Sequence, residues 1–525
     1  MIYDVIIIGG GVTGVGTARD CALRGLKVLL LERQDLTAGA TGRNHGLLHS
    51  GARYAVTDKE SAAECIRENN ILRRVASNCV EPTGGLFITL PEDDLAYQDN
   101  FIKCCREAGI DAEAIDPKEA LKMEPSVNPT LIGAVRVPDA SVDPFRLATA
   151  NALDAMLHGA EVRTYTEVTG FIKEGDRIVG VETRDTKTGA KEKFYASLTV
   201  NAAGIWGHHI AEMAGCEIRM LPAKGSLLIF GHRVNKMVIN RCRKPANADI
   251  LVPGDVVCVI GTTSDKVPFE ECDDIRVTPE EVQLLLREGC MLAPSLAQTR
   301  ILRAYAGVRP LVASDDDPTG RSTSRGIVLL DHEKRDGIPG FISITGGKLT
   351  SYRLMGEQAT DLVCEKLGKN ARCRTAELPL PGSEKDLMEG AKGLKMAEKA
   401  AIGRQGTMVS KMDFANKSEV LCECEHVTRA EIAYAVKYLD VHNMMDLRRR
   451  TRVGMGTCQG SFCMKKVAAA LAEELGCPEK TDEFVQEYLR ERWKGMIPVC
   501  WGDALREAEY MRKLYADKAV EGEER

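Results

Sequence analysis

No stretch of this 525-residue chain holds the roughly 18 consecutive apolar residues that a membrane-spanning helix needs. Basic charge is not in excess either. Lys and Arg total 70 against 76 Asp and Glu, a net charge of −6, so no global positive field draws in nucleic acid or anionic lipid. A small anionic ligand must then be caught by individually placed arginines or lysines. A basic segment, an apolar core and a small-residue cleavage site are all missing from the start of the chain, so no leader is expected and a cytoplasmic location is. The 18 cysteines are many, but most are scattered and not spaced as a secreted disulfide scaffold. They read as reduced thiols, buried as small apolar side chains. The length allows about two to four domains, and the composition is that of an ordinary globular protein.

What is present starts at Tyr3. Val5 to Ile8 is a short apolar β-branched run, as in a buried parallel strand. Gly9, Gly11 and Gly14 follow in G-x-G-x-x-G spacing, then a helical segment from Thr13 to Leu23, a break at Gly25 and a second apolar run that ends in Glu32. One glycine makes the turn, one lets backbone approach a pyrophosphate, and one packs helix on strand. The helix N-terminus offers free N–H groups to phosphates, and Glu32 is placed to accept hydrogen bonds from a ribose. The order of strand, turn, helix, strand and acid marks a dinucleotide site. By itself it does not separate FAD from NAD.

Residues 36–54 form a long loop rich in Gly, Ala, Thr and His, expected to line a site. Helices are expected over 59–79 and 97–108, and within 141–159 a turn and a long helix whose first turn contains Pro144. Residues 161–200 and 221–262 alternate as short strands. This β-rich insertion predicts an antiparallel-sheet subdomain capping a Rossmann-like domain, an α/β architecture. NAAGIWG (201–207) and ITGGKLT (344–350) are two further small-residue turns at strand ends. Three such turns need one large ligand to converge on, and FAD is long enough. The fingerprint has no second copy, which argues against a twin NAD(P)H domain. Residues 1–368 are therefore expected to form the oxidoreductase unit and 369–418 a linker. Residues 419–476 read as a small α-rich cysteine-bearing domain and 477–525 as a charged helical tail. In that tail Trp493 and Trp501 are expected to pack over the chain's own domains, with partner docking the alternative.

The stretches VIIIGGGVTGVGTARDCALRG, TGRNHGLLHSGARYAVTD, VDPFRL, NAAGIWG, AKGSLLI, GTTS, YAGVRPLVASDDDP and ITGGKLTSYR cover nearly all of residues 1–365. Together they resemble the FAD-dependent glycerol-3-phosphate dehydrogenases of the D-amino-acid-oxidase-like superfamily, and among these the large (A) subunits of the anaerobic type. The resemblance implies that Gly9, Gly11, Gly14 and Glu32 hold the ADP half of FAD. It places Thr41, Gly42, Arg43, Asn44, Gly46 and Leu48 along the flavin, with Ala203 and Gly204 in the second turn. Gly346, Gly347, Lys348, Leu349 and Thr350 fall at the flavin ring. Arg309 and Arg325 correspond to arginines that bind the substrate phosphate, and Tyr54 and Lys348 to positions beside the reacting carbon. Where some relatives carry a histidine after the K-G-S triplet, this chain has Leu227.

Oxidising a secondary alcohol sends a hydride to the flavin while a base takes the hydroxyl proton. His49 or Lys348 could be that base, and Lys348 could instead stabilise developing negative charge. Arginine forks suit a phosphate dianion. The expected reaction is oxidation of sn-glycerol 3-phosphate to dihydroxyacetone phosphate. Its alternatives are an amino- or hydroxy-acid dehydrogenase on the same fold, or a non-catalytic electron-transfer or redox-sensing partner.

Cys422-x-Cys424 and Cys458-x4-Cys463 supply four thiolates in a glycine-rich setting. The segment resembles the [2Fe-2S]-binding domain of bacterioferritin-associated ferredoxins, with structural zinc as the alternative. Electrons are then expected to pass from FAD to the cluster. The family's organisation implies partner redox subunits and a quinone pool beyond it, with peripheral attachment at the inner face of the membrane.

Overall fold

The computed structural model describes residues 2–313, 326–384 and 395–516. Strand β1 (Ile2–Ile8) leads through Gly9–Gly11 into helix α1 (Val12–Leu23) and back through β2 (Val28–Leu31). The strands pair in parallel, Val5 opposite Val28 and Ile8 opposite Leu31. Val5, Ile6 and Ile7 are fully buried, because the sheet is covered on both faces and neither side of β1 can be polar. On its other edge β1 pairs in parallel with β3 (Lys191–Asn201).

One expectation is corrected here. The meander over 161–200 does not build the cap. Thr166–Glu174 and Arg177–Asp185 pair antiparallel and extend the first sheet outward from β3, while Glu161–Arg163 pairs with β2. Their inward side chains Val168, Ile178, Val181 and Phe194 share one core with Ile6, Ile8 and Phe341, so burial fixes them to this sheet.

The cap is a separate nine-stranded sheet. Its spine is β4 (Met220–Phe230) paired antiparallel with β5 (Ile301–Val312) along nearly their whole length. Cys258–Gly261 lies on the other edge of β4. A parallel pairing joins Val238–Arg241 to Gly85–Thr89. Helix Pro279–Leu292 closes one face, Val282, Leu285 and Leu292 packing on Leu228, Phe230 and Ile260. The chain then rejoins the first sheet in β6 (Phe341–Gly346), parallel to β3, and turns into α2 (Tyr352–Leu367).

Beyond residue 395 the chain is mostly helical. Helices α3 (Met444–Thr451) and α4 (Thr481–Met496) belong to one apolar core that includes Cys422, Cys463, Leu447, Phe484 and Tyr488. Helix Met396–Gln405 joins it through buried Arg404, whose Nη2 lies 2.6 Å from Glu431. Charged pairs fasten this unit to the flavin side. Asp35 accepts from Arg449 at 2.9 Å and Arg450 at 2.5 Å, and Asp143 accepts from Arg452 at 2.7 Å. Trp493 is half-buried, with Arg512 5.9 Å from its ring centre, whereas Trp501 is 56% exposed. No described helix is long and apolar enough to cross a membrane.

Candidate active site and cysteine centre

A cavity of about 660 Å³ runs from the N-terminus of α1 to the facing edges of β5 and β6. Gly9 sits at φ +114°, and a Cβ there would stand 2.6 Å from the Ala202 carbonyl, so the first and second turns touch backbone to backbone. Gly14 lies off the cavity. Its Cβ would come 1.9 Å from the Gly9 carbonyl, which is the helix-on-strand contact expected of the third glycine. Helix α1 lacks a side-chain cap of its own. Thr41 serves instead, its Oγ1 accepting from Val12 N–H at 3.0 Å, while Gly11 and Thr13 stay on the cavity wall.

Glu32 is half-buried on that wall, accepting from the backbone N–H of Gly10 at 2.6 Å and Gln34 at 2.8 Å. Burial pushes its carboxyl above the usual range despite those two donors. Arg43, Asn44, Ala203, Gly204, Gly346, Gly347, Lys348 and Leu349 also line the cavity. Asn44 shapes its loop, bonding the Thr41 carbonyl at 2.6 Å and accepting from Gly46 N–H at 2.8 Å. Leu48 is fully buried behind the wall, and Gly42 and Gly46 face a second chamber. Thr350 is also buried, accepting from His49 N–H at 3.2 Å. These expected cofactor residues therefore support the wall and do not form it.

At the far end Tyr54 neighbours two candidates for proton transfer. The His49 ring centre is 5.4 Å from the Tyr54 ring, and Lys348 Nζ is 5.1 Å from it. Lys348 Nζ donates to Ser61 Oγ at 2.9 Å. Arg309 enters the same cavity from β5, and its partners come from two of the motifs read in the sequence. It donates to the Lys224 carbonyl at 3.3 Å, the Thr263 carbonyl at 2.8 Å and Thr262 Oγ1. A Cβ on Gly225 would meet its Nη2 at 2.6 Å, so K-G-S and G-T-T together clasp the guanidinium. Glu281 ties the two motifs, bonding Lys224 Nζ, Ser226 Oγ and Thr263 Oγ1 at 2.8, 2.8 and 3.4 Å. Leu227 is fully buried beside Gly261, away from the cavity. Arg325 lies outside the described residues.

The four cysteines come together as a ring. Cys422 and Cys424 sulfurs are 3.8 Å apart, as are Cys424 and Cys458, and Cys463 contacts both Cys422 and Cys458. Contact around the ring pushes the Cys422 and Cys458 thiols down, with backbone N–H groups of Gly454 and Gly460 assisting, and pushes Cys424 and Cys463 up. Four thiolates gathered in this way are a donor set for a metal centre, and the glycine-rich loops carry backbone up to the sulfurs. A Cβ on Gly456 would lie 2.5 Å from Cys424 Sγ, so backbone closes over the sulfurs. Tyr488 props this loop from α4, its hydroxyl 2.9 Å from both the Gly454 and Gln459 carbonyls.

Ser61, Glu281 and Tyr488 had no motif to announce them. The two centres together define a class, a flavin-dependent oxidoreductase carrying its own iron–sulfur domain. Residues 4–353 match the family of FAD dependent oxidoreductases, and 420–473 the BFD-like [2Fe-2S] binding domain. The cofactors are accordingly FAD and a [2Fe-2S] cluster, and the turns, free helix end and sulfur ring fit them. The chain is 58% identical over 520 residues to the A subunit of the anaerobic glycerol-3-phosphate dehydrogenase of Haemophilus influenzae, covering 98% of this chain and 92% of that one. With its namesake from Escherichia coli K12 the figures are 60% over 519 residues, 98% and 96%. A solved glycerol-3-phosphate dehydrogenase of Bacillus halodurans, complexed with FAD, superposes with TM-score 0.72 at 23% identity, covering 95% of this chain and 96% of its own. The chain belongs to the family of anaerobic glycerol-3-phosphate dehydrogenase A subunits.

Proposed function

We propose that this chain oxidises sn-glycerol 3-phosphate to dihydroxyacetone phosphate and passes the electrons through its cluster to partner subunits. The observation that carries the reading is Arg309, clasped by Lys224, Thr262 and Thr263 in the same cavity as Lys348 and His49. A guanidinium already fixed by neighbours can meet a phosphate dianion with little further ordering. Arg325 is proposed as its second fork. Bound FAD supplies the acceptor for the hydride that leaves the alcohol carbon with its electron pair. Lys348, donating to Ser61, is suited as the cation that stabilises oxygen charge as the hydroxyl proton departs. His49 is then left to take that proton, with Tyr54 beside both groups.

The relatives are each named as one subunit of an enzyme, which implies companions. A quinone as the final acceptor, and attachment to the inner face of the membrane through those companions, complete the reading. Anaerobic mixing of the purified holoprotein with sn-glycerol 3-phosphate tests it. Bleaching of the flavin bands is expected. A flavin that stays oxidised with this substrate but is reduced by a proline-type amino acid would replace the reading with an amino-acid dehydrogenase.

A further inference from the structure

A second chamber of about 450 Å³ lies behind the loop that lines the flavin cavity, between β5 and the cysteine domain. Its carboxylates are already engaged. Asp143 and Asp255 pair with Arg452 at 2.7 and 2.9 Å, Asp274 with Arg276 at 2.6 Å, Glu81 with Arg233 at 2.7 Å, Asp273 with Arg33, and Glu491 with Lys494 at 3.6 Å, Glu491 also facing Arg43 and Arg448 without pairing with them. Three guanidiniums on its wall are not. Arg303 is 7% exposed and its Nε is buried without a partner, as is that of Arg448. Among the described residues, neither these two nor Arg43 forms an ion pair or side-chain hydrogen bond.

Arg303 is buried and Arg43 and Arg448 are half-buried; cations held partly out of water without a paired counter-ion are costly, and proteins keep them where something else supplies the charge. The effect is visible in the groups themselves. Burial, reinforced by Arg303, pushes the Arg448 guanidinium down to about 10, and burial lowers Arg43 as well. The set is distinct from Arg309, which lines the first cavity and is held there by neighbouring oxygens.

We propose that this chamber is a second anion site that binds a phosphomonoester, its phosphate held by Arg43, Arg303 and Arg448. Three planar forks without paired carboxylates match a dianion with several oxygens better than a single carboxylate. The volume exceeds a bare ion and lies in the range of small-molecule pockets. Phe145, Val257 and Met445 on the wall would pack on the organic part. Arg43 stands on the wall the two chambers share and lines both, whereas Arg303 and Arg448 line the second chamber and not the first.

The test uses the FAD-loaded full chain carrying Arg309→Gln, which silences the proposed substrate site, so failure here is distinguishable from failure of the proposed function. Thermal unfolding is followed against inorganic phosphate and against phenyl phosphate. A saturable rise in Tm is expected for both, tighter for phenyl phosphate, and weakened at least tenfold by adding Arg448→Gln. Arg303→Lys, which keeps the charge and loses the fork, is expected to weaken binding too and stands in should Arg448→Gln fail to fold. No saturable response in the Arg309→Gln protein, or unchanged affinity in the variant that folds, would overturn the proposal.

Discussion

The flavin cavity draws its wall from residues as far apart as Gly9 and Lys348, whereas the sulfur ring is assembled between Cys422 and Cys463. The first centre is therefore a product of the whole fold. Its turns meet only because β1, β3 and β6 run side by side and end at one edge. The second is local in sequence yet not self-supporting, because Tyr488 on α4 props its loop and that helix also packs on β5, Gly495 against the Ala304 carbonyl. A site spread over a parallel sheet inherits its rigidity. One made of a short glycine-rich loop must borrow rigidity from a neighbouring helix.

Asp35 joins the two regions, so it is where they can be uncoupled most directly. Asp35→Asn would leave Arg449 and Arg450 buried with one partner charge gone, a loss of about 3–5 kcal/mol. Burial alone would raise the Asp35 carboxyl, but the two guanidiniums outweigh it and hold it below its ordinary value. The pairing thus contributes fully above about pH 4 and is lost as pH falls through the lower folded value. Acid titration of the variant should lack that component of the wild-type profile. If its stability and acid slope match wild type, the two regions are not coupled here.

Arg309→Gln acts on the distributed site alone. Losing a charged, pre-placed fork should cost about 1.5–3 kcal/mol of substrate binding, roughly ten- to hundredfold in kcat/KM. The cluster absorbance should stay unchanged. Steady-state kinetics with an artificial acceptor checks it, and an unaltered KM would remove Arg309 from the phosphate site.

The sequence announces both centres because each rests on a chemical spacing, glycines around a turn or cysteines around a metal. It does not announce what holds them. Residues 161–200 alternate with period two, and that pattern reads the same whichever sheet the strands join; burial of Ile178 and Phe194 decides it. The arginines at 448–450 and 452 fall in no motif, and their partners are far away in sequence. In the fold Arg449, Arg450 and Arg452 meet carboxylates from Asp35 to Asp255, while Arg448 forms no ion pair among the described residues. Glu281 and Ser61 contribute single side chains at positions set by long-range packing, which no local pattern encodes. Arg325, expected at the substrate, falls outside the described residues.

Gly456→Ala probes the local centre. Its new Cβ would lie 2.5 Å from Cys424 Sγ, and overpacking of this kind costs about 1–3 kcal/mol. The iron–sulfur absorbance should fall while substrate still bleaches the flavin. Loss of both cofactors together would show that the ring supports the flavin domain, and the two centres would then not be separable.

Tyr488→Phe is the mildest change and tests the borrowed rigidity itself. The hydroxyl serves the Gly454 and Gln459 carbonyls, both 2.9 Å away, and its removal should cost about 1 kcal/mol. The single hydroxyl proton is shared between the two carbonyls, and because the ring stays in place neither gains room for water when that proton is gone. The loop should therefore loosen before the fold does. The expected result is a cluster that is lost faster to a chelator, in a protein whose flavin content and global Tm shift little. Equal chelation rates in the two proteins would mean that the ring holds its loop unaided, and that α4 serves only to dock the domain on β5.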